Sequence, residues 1–409
     1  MGSVMPSTAT DLRQANLTRA LRAIHTAEAD LTRAQLAREL TCTRATAAAL
    51  AADLQDLGLI TVSETELTRR RGRPSTRLTP AATGPAVIAV EIGVTCVRLA
   101  TVGLGGRLSA VESTALQNHD VDHVLGLARD MLRERLRSTP QPCVGVGIAV
   151  HGLVDQLSMT LVSAPNLGWD DTDVVAQLDL PPGLPVRMDN VAHLSALAES
   201  SRGRGRGFAT VLYLHAAVGL GGALVLDGHP VRGRRGFAGE FGHLPLGRSE
   251  QPCRCGGWGC WELDVDQPAL ARAAGRPYTA RTVATVARKV LADSTRGDQE
   301  ARSAVDQVSA LLGRGIGALI NVHDPDLVVL ACHAADLLAS SPQIVVEQAR
   351  RGSMSAHRPA LPPIEPAALD ADGALVGAAD SLFDFLVESP TALTGRTAAS
   401  AAPLDRLPS

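Results

Sequence analysis

V-I-A-V-E-I-G-V-T-C-V-R-L-A-T-V-G-L-G-G, residues 87–106, reads as two strands of a hairpin around Gly93 with a turn at Gly105-Gly106. The apolar texture is that of buried strands. Moving downstream, the same texture returns in C-V-G-V-G-I-A-V-H-G at 143–152, in the pair V-L-Y-L-H-A-A-V-G-L-G-G-A-L-V-L-D-G at 211–228, and in D-L-V-V-L-A-C at 326–332. Helical periodicity fills the intervals, notably 121–137, 191–200, 266–274, 281–293 and 299–322. Strands with glycine-rich turns, separated by helices, specify an α/β domain of two lobes over 87–386.

Upstream, P-A-A-T-G-P at 80–85 breaks the pattern, and residues 80–86 read as a linker. Before it, apolar residues recur at helical spacing in blocks at about 14–27, 32–40 and 43–57. The second block opens at Thr32, an N-cap residue type, and the third starts at Thr41 or Thr43 and runs to a C-capping Gly58. Two short helices, then L-I-T-V and a second strand near R-L-T-P, describe a winged helix-turn-helix over residues 1–79. Thr43, Arg44 and Thr46 then face base edges in a major groove. The wing is T-R-R-R-G-R-P-S-T-R-L, where Arg69, Arg70, Arg71, Arg73 and Arg77 crowd one stretch. Clustered arginines repel one another unless an anion neutralises them, which favours phosphate contact; five such contacts would change the log–log salt slope by up to about −4.5 per subunit. A helical dimerisation cap with solvated arginines is the alternative.

A different chemistry is written in E-F-G-H-L-P-L-G-R-S-E-Q-P-C-R-C-G-G-W-G-C-W-E, residues 240–262. His243, Cys253, Cys255 and Cys260 fall within reach of one tetrahedral ion, and the glycines at 256, 257 and 259 let the backbone fold tightly around it. A Cys3His set points to zinc, held structurally, because four protein ligands leave no open position for a reactive water. The alternative is three reduced cysteines in a glycine-rich loop. Cys42, Cys96, Cys143 and Cys332 lie among apolar neighbours and read as buried thiols. With no charged segment leading an apolar stretch and no membrane-spanning run, the chain reads as a cytoplasmic protein without membrane contact. Its 409 residues carry a net charge of −3, with almost no lysine, so affinity for nucleic acid has to come from local patches. Residues 387–409 lack periodicity and read as a disordered tail.

Together these features resemble the ROK family, whose name abbreviates repressors, open reading frames and kinases. The most specific marks are E-F-G-H at 240–243, C-R-C-G-G-W-G-C-W-E at 253–262 and S-A-P-N-L-G-W at 163–169; G-R-P at 72–74 is similar to the wing of the repressor branch. The resemblance implies an actin-like, ribonuclease-H-like pair of lobes of sugar-kinase type with a sugar in the cleft, preceded by the winged helix-turn-helix. Repressor members release DNA on binding a sugar, sugar phosphate or protein partner. Dimers or tetramers are expected, because paired recognition helices match palindromic half-sites.

In the kinases of the family a D-N-D-A-N-like stretch supplies the aspartate that takes the proton from the sugar hydroxyl. Here it reads M-D-N-V-A-H at 188–193, which places Val191 at the base; loss of a general base costs about 10²–10⁴ in rate. Asp189 should point away from that face. The nucleotide motif D-x-G-G-T-K is E-I-G-V-T-C at 91–96, Val218 replaces a phosphate-gripping threonine, and Ala331-Cys332 replaces a Gly-Gly of the adenine site. The resemblance therefore implies no catalysis. On the sugar side it implies Asn166, Asn190, Glu240, His243 and Glu262 as effector contacts, with His243 serving zinc through one ring nitrogen and a sugar hydroxyl through the other. His151 stands where proline is common, so a modified sugar or another ligand stays open. Trp169, Trp258 and Trp261 all fall in segments expected to border the pocket. The resulting expectation is a DNA-binding regulator, a repressor of carbohydrate-related genes. A sugar kinase with a DNA-binding appendage, or a regulator answering to another ligand or a protein, are the alternatives.

Overall fold

The computed structural model describes residues 9–64, 76–247 and 251–390. The first unit comprises α1 (Ala9–His25), β1 (Leu31–Thr32), α2 (Arg33–Glu39), α3 (Arg44–Asp56), β2 (Ile60–Glu64) and β3 (Thr76–Pro80). Its strands form an antiparallel sheet in the order β1-β3-β2. Thr32 caps α2 in a reciprocal box with Gln35, satisfying two backbone donors that the first turn leaves free. Thr43, not Thr41, caps α3, accepting from the Thr46 backbone N–H. Thr41 instead occupies the turn with φ +53, and Gly58 closes α3 with φ +68. The first helix begins at Ala9, earlier than its apolar spacing indicates, and stops at His25.

Residues 81–85 cross from β3 into the first lobe. That lobe contains β4 (Ala86–Ile92), β5 (Cys96–Gly103), β6 (Arg107–Leu108), β7 (Glu112–Ala115), α4 (Val121–Ser138), β8 (Cys143–Val150), β9 (Leu153–Asp155), β10 (Thr160–Ala164), β11 (Trp169–Thr172), α5 (Val174–Gln177), β12 (Val186–Asn190) and α6 (Val191–Arg202). The second lobe contains β13 (Thr210–Ala217), β14 (Gly219–Leu226), β15 (His229–Pro230), α7 (Glu262–Val265), α8 (Gln267–Ala273), α9 (Val283–Thr295), α10 (Gln299–His323), β16 (Leu327–Cys332), α11 (His333–Ser340), α12 (Pro342–Gly352) and β17 (Ile364–Pro366). Then α13 (Gly373–Val387) returns to the first lobe and packs on α6, β4 and β8.

The two lobes repeat one topology. In the first, strand order β12-β8-β4-β5 joins an antiparallel hairpin to two parallel strands; in the second, β17-β16-β13-β14 does the same. Parallel pairs need helical crossovers, so both sheets carry helices and their central strands are apolar on both faces: every residue of β4 is buried. Close helix approach is bought with small residues, as at Gly377, where a Cβ would sit 1.8 Å from the Leu194 carbonyl oxygen. One hydrophobic cluster runs from Leu21, Ile24, Leu54 and Leu78 of the N-terminal unit into Leu104, Leu375 and Phe383 of the first lobe. Among the described residues no helix is long and apolar enough to cross a membrane. Most of the segment expected as a disordered tail, from residue 391 on, lies outside the described residues, whereas Val387 closes α13.

Candidate functional site

A cavity of about 530 Å³ lies between the two sheets, and Asn166, Asn190, Glu240, His243 and Glu262 all line it. A volume of this size suits a small ligand. Asn190 ends β12 and caps α6: its Oδ1 accepts from the Ala192 N–H at 2.7 Å and its Nδ2 donates to the Gly152 carbonyl at 2.8 Å. One amide hydrogen and one lone pair are left for a ligand. The Asn166 amide donates to the Val218 carbonyl at 3.3 Å. Beside Asn166, Gly219 adopts φ +94, and a Cβ there would stand 2.6 Å from Asn166 Nδ2 and 3.0 Å from Glu262 Oε2, so only glycine leaves this wall open.

Glu262 opens α7 and is buried; its Oε2 accepts from the Leu220 N–H at 3.4 Å. Behind it Asp266 caps α8, with one oxygen accepting from Ala269 N–H at 2.8 Å and the other from Gly219 N–H at 3.2 Å. Burial pushes the Asp266 carboxyl up to about 7. Glu240 sits 3.7 Å from His243 Nε2, and burial raises its carboxyl too.

The other imidazole nitrogen faces the cysteines. His243 Nδ1 lies 3.7 Å from Cys253 Sγ, Cys255 Sγ lies 3.6 Å from Cys260 Sγ, and the four donor atoms are all within 4.8 Å of one another. Bonds of about 2.3 Å to sulfur and about 2.0 Å to nitrogen give a tetrahedron with edges of about 3.5–3.8 Å, which the His243–Cys253 and Cys255–Cys260 separations match. All seven cysteines are free thiols, so the group can bind a metal. Glu262 Oε1, 3.0 Å from Cys253 Sγ and 3.6 Å from His243 Nδ1, joins this cluster to the cavity. Next to Cys260, Trp261 is fully buried and donates its indole N–H to the Leu311 carbonyl at 3.2 Å; its ring lies where Gly315 would carry a Cβ.

Val191, 2% exposed, is among the residues that line the cavity. Asp189 does point away: it is buried, accepts from Arg232 Nε at 2.8 Å, and lies 3.2 Å from His193 Nδ1. Next to His151, which lines the same cavity, the protein's own side chains form an ion-paired group. Glu91 accepts from Arg98 at 2.9 Å and lies 3.7 Å from His151 Nε2; Arg98 reaches on to Asp372 at 2.5 Å. Burial opposes ionisation of Glu91, but His151 and Arg98 outweigh it and hold the carboxyl below its ordinary value. His215 packs edge-on to His151 with ring centroids 5.9 Å apart, and burial takes its pKa down to about 4, so it is neutral. Cys332 keeps φ +54 and ψ −127, a conformation suited to glycine, with its N–H donating to Asp370 at 2.7 Å.

In the N-terminal unit, Thr43 and Arg44 are exposed and Thr46 is half-buried at the start of α3. The Thr43 and Thr46 hydroxyls lie 2.9 Å apart, so both are partly committed to the cap. Arg77 lies 3.7 Å from Asp30. Arg69, Arg70, Arg71 and Arg73 fall outside the described residues.

Sequence reasoning missed His215, Asp170 and Arg254, which also line the cavity. His215 was visible only as a polar residue inside an apolar strand. The segments that carry the tryptophans do border the cavity, through Asn166, Cys255 and Glu262, but the rings do not line it: Trp169 is buried with its indole bonded to the His119 carbonyl, Trp258 is 65% exposed and Trp261 faces α10. Their side chains were diverted by core packing and by solvent, which segment position does not encode.

Residues 87–383 match the family model described as ROK family. A putative xylose repressor of Caldicellulosiruptor sp. (strain Rt8B.4) is 28% identical over 263 residues, 61% of this chain and 66% of that protein. The match thus spans just under two-thirds of that relative. A ROK family transcriptional regulator, a homolog of the E. coli MLC protein, superimposes with a TM-score of 0.71 at 23% identity, covering 94% of this chain and 98% of that one. A ROK family glucokinase from Streptomyces griseus, solved with glucose and AMPPNP, gives 0.64 at 25% identity over 72% of this chain and 98% of that one. The fold is therefore the kinase-like, actin-like one with an added N-terminal region, and the chain belongs to the ROK family.

Proposed function

We propose that the protein is a DNA-binding transcriptional regulator, a repressor of carbohydrate-related genes, controlled by a sugar or sugar-derived effector in a cleft that has given up phosphoryl transfer. One observation carries this: the cleft gathers Asn166, Asn190, Glu240, His243 and Glu262, all suited to sugar hydroxyls, around Val191, which cannot accept a proton. The N-terminal unit supplies a winged helix-turn-helix, with α3 for the major groove and Thr43, Arg44 and Thr46 at its leading end. Names of the relatives support the same reading, since they include xylose repressors.

His243, Cys253, Cys255 and Cys260 would hold zinc. Bound there, zinc supplies folding energy to the loop rather than a reactive water. His243 would then present Nε2 beside Glu240 to the effector, and Glu262 would brace the metal side. A homodimer or tetramer acting in the cytoplasm fits paired operator half-sites.

The glucokinase relatives keep a kinase reading in play. Incubating the protein with glucose, xylose and ATP separates the two. A regulator yields no ADP and releases its upstream DNA on binding sugar; steady ADP formation would reverse the assignment.

A further inference from the structure

Helix α6 starts at the cleft and ends at the N-terminal unit. At its first end Asn190 caps it, Val191 lines the cavity, and His193, one turn in, has Nε2 2.7 Å from the Ala238 carbonyl, two residues before Glu240. The Ala192 side chain meets Gly221 of the second lobe. Twelve residues on, about 18 Å along the axis, Arg202 closes the helix. Its guanidinium donates to both oxygens of Asp380 on α13, at 2.7 and 2.8 Å, and to the His25 carbonyl at the end of α1, at 2.7 Å. The side chains of His25, Asp380 and Arg202 are 2%, 4% and 9% exposed.

The imidazole of His25 completes the joint. Its Nδ1 accepts from the Gly105 N–H at 3.0 Å, and its Nε2 lies 2.8 Å from Arg202 Nη2 and 3.3 Å from Asp380 Oδ1. Gly106, at φ +69, leaves the space that Arg202 fills: a Cβ there would stand 2.6 Å from Arg202 Nε. The guanidinium thus ties together α1, α6 and α13, and His25 adds the β5–β6 turn. Since α6 and α13 touch backbone to backbone at Leu194 and Gly377, the helix pair cannot flex independently.

We propose that α6 is the mechanical link between the effector cleft and the DNA-binding unit, and that Arg202 is the positioning residue that couples them. This rests on the proposed function for its biological meaning, but not for its geometry. A shift of the 238–240 segment against α6, through the His193 bridge, would turn or translate a rigid helix whose far end carries α1. An N-terminal unit on a free tether would need no such joint. Here a shared apolar core and a buried charge cluster hold it.

The test is amide hydrogen exchange on the full chain, without any ligand, comparing wild type with Arg202→Met and Arg202→Lys. Breaking a buried pair by removing one partner should accelerate exchange in residues 17–25 and at 105–106 on the order of 100-fold. The coupling claim requires more: segments 189–193 and 238–240 at the far end should also exchange about fivefold faster or more, the lower range of allosteric coupling. His193→Ala, made at the cleft end, should loosen residues 17–25 in return, and it decides the matter alone if neither Arg202 variant folds. Loosening confined to the mutated end in every folded variant would overturn the proposal and reduce Arg202 to a local clamp. Failure of the functional reading has a separate signature, because absence of DNA or sugar binding by the wild type would leave this exchange pattern untouched.

Discussion

Replacing Cys260 by serine removes one of four metal donors and tests whether the metal loop and the effector cleft are one unit. In small zinc peptides the metal contributes about 10–16 kcal/mol to folding. Between His243 and Trp261 the loop has little else to hold it: Trp258 is 65% exposed, Leu246 is 37% exposed, and among the described residues only Cys253 and Cys260 are buried. It should therefore unfold locally when the metal leaves. Glu262 keeps its place, because the adjoining Trp261 is anchored on α10, and Glu240 is steadied by the His193 bridge at Ala238. What is lost is the His243 contact with the effector and the neighbour that orients Glu262. At about 1–2 kcal/mol each, two such hydrogen bonds sum to about 2–4 kcal/mol, or about 30- to 700-fold weaker effector binding. Titration calorimetry with the sugar that binds wild type, run beside metal analysis, gives the answer; Cys143→Ser, far from the loop, is the control. Complete metal loss with affinity unchanged within about threefold would refute the coupling.

Val191→Asp should not create a kinase, because the ion-paired group of Glu91, Arg98 and His151 stays in place and Val94, Cys96 and Val218 remain; a coupled ADP assay checks this, and ADP above background would contradict it. Burial works against ionisation of Asp380, yet His25 and Arg202 take its carboxyl down to about 2, below its unfolded value. Its stabilisation is therefore complete above the ordinary carboxylate range and is lost as pH falls from about 4 to about 2, an effect on the order of 2–3 kcal/mol. Urea unfolding at pH 5 and pH 2.5 should show that slope in wild type and lose it in Asp380→Asn; equal slopes would count against the joint. Thr43→Ala should destabilise α3 by about 1 kcal/mol, and Arg44→Ala should lower the magnitude of the salt slope for DNA by about 0.9, both measured by anisotropy and melting. An Arg44 variant with an unchanged slope would remove that residue from the interface.

Sequence reading located the helices Val121–Ser138, Val191–Arg202, Gln267–Ala273, Val283–Thr295 and Gln299–His323, four of them opened by a side-chain cap and one, Val283–Thr295, by none. Asp120, Asp266 and Asp298 each cap such a start, and their type alone marks it. By contrast α13, G-A-L-V-G-A-A-D-S-L-F-D-F-L-V, is apolar nearly all round because it is wedged between the first sheet and α6, and without a polar face its period is hidden. Asp380 within it carries no local sign of its partners, because Arg202 lies 178 residues away and His25 stands near the chain start. The metal loop was legible because its ligands are close in sequence. Asn166, Asn190 and Glu240 needed the family pattern, since nothing local tells a cleft amide from a capping one, and Asn190 is both. His215 and Arg254 enter the cavity only through the packing of distant strands and loops.

The central claim is tested most directly by fluorescence anisotropy of the full chain on its own upstream DNA, titrated with xylose, glucose, N-acetylglucosamine and their phosphates. Saturable binding released by one of these compounds, with no ADP formed in the presence of ATP, is the predicted result. DNA binding that is absent, or that no compound in the panel alters, would contradict a repressor governed by a sugar in this cleft.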